Sequence, residues 1–108
     1  MSYYNLNDKN IPFHENVDLK IFNKAKKILN NLSENGYIRI GKVDTGKVFY
    51  GYNVIKFYVK QDQYYHSIKE QFEKKGFIIR KEPGTISYRN LEIVLDKTGD
   101  SIEDCFNV

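Results

Sequence analysis

The chain has 108 residues, 41% of them hydrophobic, with 17 basic and 14 acidic side chains and a net charge of +3. That length supports one domain around one core and excludes a large enclosed cavity between two layers of sheet. The mild charge permits polyanion binding without demanding it, since dedicated duplex binders are more basic.

The single cysteine, Cys105, excludes an internal disulfide and reads as a free thiol in a reducing compartment. The run Met1–Asp8 has no basic region followed by an apolar stretch, so no secretory signal is expected. Nothing approaches the ~18–20 apolar residues of a membrane span. A soluble, cytoplasmic protein without membrane partners is the expectation. Asn, Lys, Ile, Tyr and Phe make up about half the chain and Trp is absent. Their codons are AT-rich, which points to a low-GC bacterium, its phages or its mobile elements. Nine tyrosines exceed what one small core buries, so several are expected at the surface.

Residues 1–16 read as a polar, aromatic-spotted N-terminal tail. A helix follows, with Val17, Ile21, Phe22, Ala25, Ile28, Leu29 and Leu32 in one apolar stripe and Lys20, Lys24, Lys27, Asn30 and Asn31 toward solvent. Asn16 or Asp18 is placed to cap it, and Gly36 to end it. A hairpin from Tyr37 to Lys60 is expected to turn at Asp44-Thr45-Gly46. Its second strand, from about Val48, alternates Phe49, Ile55, Phe57 and Val59 with Tyr50, Tyr52, Lys56, Tyr58 and Lys60.

Asp62 is placed to cap a second helix striped by Tyr65, Ile68 and Phe72 and stopped at Gly76. A last hairpin pairs Phe77–Glu82 with Thr85–Asp96 across Pro83-Gly84, a type II turn signature. Leu91, Ile93 and Leu95 face one side; Tyr88, Asn90 and Glu92 face the other. Residues 97–108 form an acidic C-terminal tail.

The segments around Gly36-Tyr37 and Gly76-Phe77 repeat at a spacing of 40 residues. The expected fold is therefore α+β: two αββ units (17–60 and 61–96) in one domain over residues 17–96. A four-stranded sheet would carry both helices on one face, with the two long strands central and parallel. That is a permuted ferredoxin-like plait.

If Ile38, Ile40, Ile55, Phe57, Val59, Leu91, Ile93 and Leu95 face the helices, the opposite face is open. It would carry Tyr37, Arg39, Tyr50, Tyr52, Lys56, Tyr58, Lys60, Arg80 and Tyr88 as candidate partner-binding residues. Rings interleaved with cations suit protein hot spots, and they also suit stacked bases with nearby phosphates. The same composition serves plain solubility. Glu82 and Glu92 on this face disfavour nucleic acid.

The spacing Gly41…Gly46-Lys47 matches a phosphate-binding loop. However, Val48 stands where the metal-holding hydroxyl belongs, and the segment leads into a strand rather than a helix. Asp44-Thr45-Gly46 matches the aspartic-protease tripeptide but is flanked by Lys42 and Lys47. His14 and His66 lack ligand spacing, and Cys105 sits among acids that raise a thiol pKa. No catalytic residue, metal or cofactor is expected. The reading is a non-enzymatic accessory protein of a phage or mobile element. It would block a host protein or nucleoprotein sterically, in the manner of anti-CRISPR proteins. The alternatives are a single-stranded nucleic-acid module on the same face, an enzyme with an unrecognised site, and a homodimer.

Overall fold

Helix α1 (Leu19–Glu34) begins where Asp18 turns its carboxylate back on the chain, with Oδ1 accepting from the amides of Lys20 (3.0 Å) and Ile21 (3.3 Å). Phe22, Ala25 and Leu29 form its buried stripe. It ends in a Schellman motif: Gly36 takes φ +80°, its amide donates to Ser33 O (3.0 Å), and the Tyr37 amide donates to Leu32 O (3.0 Å). Helix α2 (Tyr65–Lys74) ends the same way. Gly76 takes φ +88°, donates to Glu73 O (3.0 Å), and is followed by Phe77 donating to Phe72 O (3.1 Å). The sequence repeat is thus also a repeated stop signal. Asp62, expected as the cap of the second helix, instead opens a 3-10 turn (Asp62–Tyr64) that precedes α2.

The computed structural model describes residues 3–46 and 53–97. Within them the fold is α+β, with two helices and an open antiparallel sheet of five strands. These are β1 (Tyr3–Tyr4), β2 (Ile38–Asp44), β3 (Val54–Val59), β4 (Ile78–Lys81) and β5 (Asn90–Val94), in the order β1-β2-β3-β5-β4.

Several expectations are corrected. The sheet has five strands rather than four, because Tyr3 and Tyr4 pair with Asp44 and Val43. The segment expected as a tail contributes this strand and also core: Leu6 is buried, and Tyr4, Ile11 and Phe13 pack against the main cluster. The central strands β3 and β5 run antiparallel rather than parallel. The α2 crossover delivers the chain to β4, one strand's width away from β3. Strand β5 then returns into the gap, antiparallel to both neighbours.

Both hairpins are wider than their turn signals implied. Asp44 pairs with Val54, so Asp44-Thr45-Gly46 does not close a three-residue loop. Glu82 donates its amide to Asn90 O (2.7 Å), so Pro83-Gly84 lies inside a longer connection, although Gly84 holds the φ of +81° that a type II turn needs. Val48, Phe49, Tyr50, Tyr52 and the 98–108 segment lie outside the described residues.

The buried polar residue Asn53 stands immediately before β3. Its amide and its Nδ2 both donate to Asp96 Oδ1 (2.9 and 2.6 Å). Its Oδ1 accepts from the His14 amide (2.7 Å), and its carbonyl accepts from Leu95 N (2.7 Å). One side chain therefore ties the N-terminal segment, the start of β3 and the end of β5. A buried amide so fully satisfied helps fix where β3 meets the end of β5.

The helix-facing side of the sheet follows the expected alternation. Ile38, Ile55, Phe57, Val59, Leu91, Ile93 and Leu95 form one cluster with Phe22, Ala25, Leu29, Ile68 and Phe72, and Ile40 packs at its margin. No helix among the described residues is long and apolar enough to cross a membrane.

Candidate interaction face

The open side of the sheet is organised by a bulge in β2. Ile40 pairs with Phe57 and Val43 with Ile55, so Gly41 and Lys42 together oppose Lys56. A Cβ on Gly41 would lie 2.8 Å from the Lys56 carbonyl oxygen, so only glycine fits there. The bulge turns Lys42 toward β1, with its Nζ 5.5 Å from the Tyr3 ring centre. The result is an open depression of about 300 Å³ bordered by Tyr3, Arg39, Lys42, Lys56, Tyr58 and Glu82.

Its charges are mostly paired. Strand register sets Lys56 beside Glu92 and Glu92 beside Arg80. Glu92 is 0% exposed and its carboxylate bonds Arg80 Nε. Lys56 Nζ lies 3.1 Å from Glu82 and 3.9 Å from Asp44, with the Tyr3 ring 5.3 Å away. Burial by itself would lower the pKa of Lys56. The hydrogen bond and charge of Glu82, helped by Tyr3 and Asp44, outweigh it and raise that pKa above the ordinary lysine value. Arg39 and Lys42 are exposed and have no carboxylate partner among the described residues.

Tyr58 is approached from the β2 side by the Arg39 guanidinium, 5.3 Å from its ring centre, and from the β5 side by Arg89 at 4.9 Å. Arg89 is held in turn by Lys60 O (2.8 Å) and by Asp62 (3.3 Å). Cations thus occupy the space over the ring that a stacked base would use.

Of the nine residues expected on this face, Arg39, Lys56, Tyr58 and Arg80 lie on it. Lys60 is exposed just beyond the end of β3. Tyr37 and Tyr88 are corrected. Tyr37 precedes β2 and packs edge-on against Tyr64, at 4.9 Å, beside α2. Tyr88 lies in the β4–β5 connection against Tyr65, at 5.1 Å. There the Asp62 carboxylate accepts from its hydroxyl and raises its pKa. Tyr50 and Tyr52 lie outside the described residues.

Sequence reasoning missed Tyr3, Lys42, Asp44 and Arg89 here. Gly41 inside an otherwise β-branched run was the readable signal for the bulge. The pairing of Tyr3 with a strand 40 residues later left no local signal. Among the described residues no three His, Cys, Asp or Glu side chains converge as a metal site. No protein-family model, curated protein or solved structure matches the chain.

Proposed function

We propose that the chain is a small non-enzymatic binding protein that inhibits or regulates a host protein or nucleoprotein by occupying its surface. The acting region is the open sheet face around Arg39, Lys42, Tyr3 and Tyr58. One observation carries this reading. Arg39 and Lys42 border the depression without a carboxylate partner among the described residues, while Tyr58 and Tyr3 brace them. An Arg held on a Tyr ring loses little freedom on binding, and Tyr and Arg dominate protein hot spots. The complementary feature on the partner is a carboxylate.

The single-stranded nucleic-acid alternative is disfavoured at this face, because Arg39 and Arg89 already flank the ring of Tyr58. The depression's acid and base, Glu82 and Lys56, neutralise one another, which disfavours the enzyme reading. The low-GC composition supports a phage or mobile-element source acting in a bacterial cytoplasm, and an anti-CRISPR-like inhibitor is the concrete form. We also read the order β2-β3-β5-β4 with α2 between β3 and β4 as a permuted ferredoxin-like plait. That likeness concerns topology and carries no activity.

The test is capture from host extract by the tagged chain, compared with an Arg39→Ala/Lys42→Ala variant. The partner is expected to be lost by about tenfold or more, with an unchanged melting temperature. Capture at the wild-type level would remove the face from consideration.

A further inference from the structure

The helix side of the molecule carries a second surface. Between Lys20 and Asn31 every exposed residue of α1 is lysine or asparagine: Lys20, Asn23, Lys24, Lys27 and Asn31. Lys24 and Lys27, with Lys75 from the end of α2, border a depression of about 410 Å³ floored by Ile28 and Phe77. An adjoining hollow adds Asn31 and Gln71 to Lys27 and Lys75. Among the described residues no carboxylate borders either hollow. Among the described residues Lys20, Lys24, Lys27 and Lys75 form no ion pair.

These charges do nothing for the helix that bears them. Lys20 stands in the first turn, where the helix dipole opposes a cation, and that turn carries no acid beyond the capping Asp18. Lys20 and Lys24 are like charges at i,i+4, a repulsive spacing.

We infer that the α1 ridge with Lys75 is a docking surface for the phosphate backbone of duplex nucleic acid, bound without regard to sequence. Lys, Asn and Gln are among the side chains that donate to phosphate oxygens. Protein interfaces are instead depleted in lysine and enriched in aromatic residues and arginine, none of which is exposed on this ridge. A single strand would need rings for its bases to stack on, and Phe77, the ring in the groove, is buried. The helix holds Lys20 to Lys27 in a straight rigid line of about 10 Å. The net charge of +3 conceals this ridge because it sums basic and acidic residues over the whole sequence. The surface is separate from the sheet face, so a nucleoprotein could be engaged on both.

The experiment titrates a mixed-sequence 20-base-pair DNA duplex against the full chain, starting at ~50 mM salt and raising it. Binding is expected, with log affinity falling by about 0.9 per lysine engaged for each decade of salt. The Lys20→Gln/Lys24→Gln/Lys27→Gln variant should bind about tenfold or more weakly, with the slope shallower by about 0.9 for each lysine removed. Circular dichroism checks its fold, and Lys24→Gln alone, losing about 0.9 of slope, serves if the triple variant does not fold. Arg39→Ala/Lys42→Ala should bind the duplex as wild type does. Absence of binding, wild-type affinity in the lysine variants, or loss in the Arg39/Lys42 variant overturns the inference. So does tighter binding of a 20-base single strand, or equal competition by polyglutamate.

Discussion

Cations stand on both faces of this molecule, but the middle of the sheet and the α1 ridge treat them oppositely. On the sheet side Arg80 is bound to Glu92, Lys56 to Glu82 and Asp44, and Arg89 to Asp62. On the helix side Lys20, Lys24, Lys27 and Lys75 have no such partners among the described residues. The difference follows from depth. Side chains on the middle of a sheet are hemmed in by neighbouring strands, so their charges lose water and need a counter-ion. Lysines on an exposed helix keep their ammonium groups in water while their stems cover apolar surface such as Ile28. The lesson is that composition counts charges, whereas availability depends on which are already satisfied.

The strongest way to break the comparison is to remove a sheet-side partner. Arg80→Met should remove one charge-assisted bond from the Glu92 carboxylate, which is 0% exposed, and cost about 1.5–3 kcal/mol in urea denaturation. An exposed lysine such as Lys24→Gln should stay within about 0.5 kcal/mol of wild type. Equal costs would mean that pairing on the sheet face does not matter for stability. Gly41→Ala sharpens the same point through the backbone. Its methyl would meet the Lys56 carbonyl oxygen at 2.8 Å, so relief requires a shift of β2 or β3. The expected loss is about 1–3 kcal/mol. The displaced bulge should also weaken partner capture through Lys42, in contrast to duplex binding on α1.

How much of this was readable beforehand depends on range. The helices, their glycine stops and the inward residues Ile55, Phe57, Leu91 and Ile93 follow from periodicity and local backbone chemistry. The antiparallel pairing of β3 with β5 does not, because a strand's own pattern states which side is buried and not which neighbour it meets. The two turn signatures misled for a related reason. Pro83-Gly84 forms a local turn and the Asp44 carboxylate accepts from the Gly46 amide, but neither segment closes its hairpin: Asp44 pairs with Val54, and the Glu82 amide donates to Asn90 O. At the site, Arg39, Lys56, Tyr58 and Arg80 came from strand alternation. Tyr3 and Arg89 lie outside the two long strands, and only the folded chain brings them to Lys56 and Tyr58.

The smallest expected effect separates a charge that belongs to the fold from one that belongs to the surface. Lys56 is raised above its ordinary value of 10.5. A raised lysine stabilises the folded state fully below the unfolded value, and that contribution is lost as pH climbs through the folded value. Between about pH 9 and pH 12 the wild-type chain should therefore lose more stability than a Lys56→Gln variant, in which the pair with Glu82 is already gone. The Lys56 side chain keeps 19% of its exposure and part of the attraction is screened, so the difference should be about 1 kcal/mol or less. If Lys56→Gln and wild type decline in parallel, the pairing on the sheet face is too weak to distinguish it from the helix ridge, and the contrast between the two faces reduces to geometry alone.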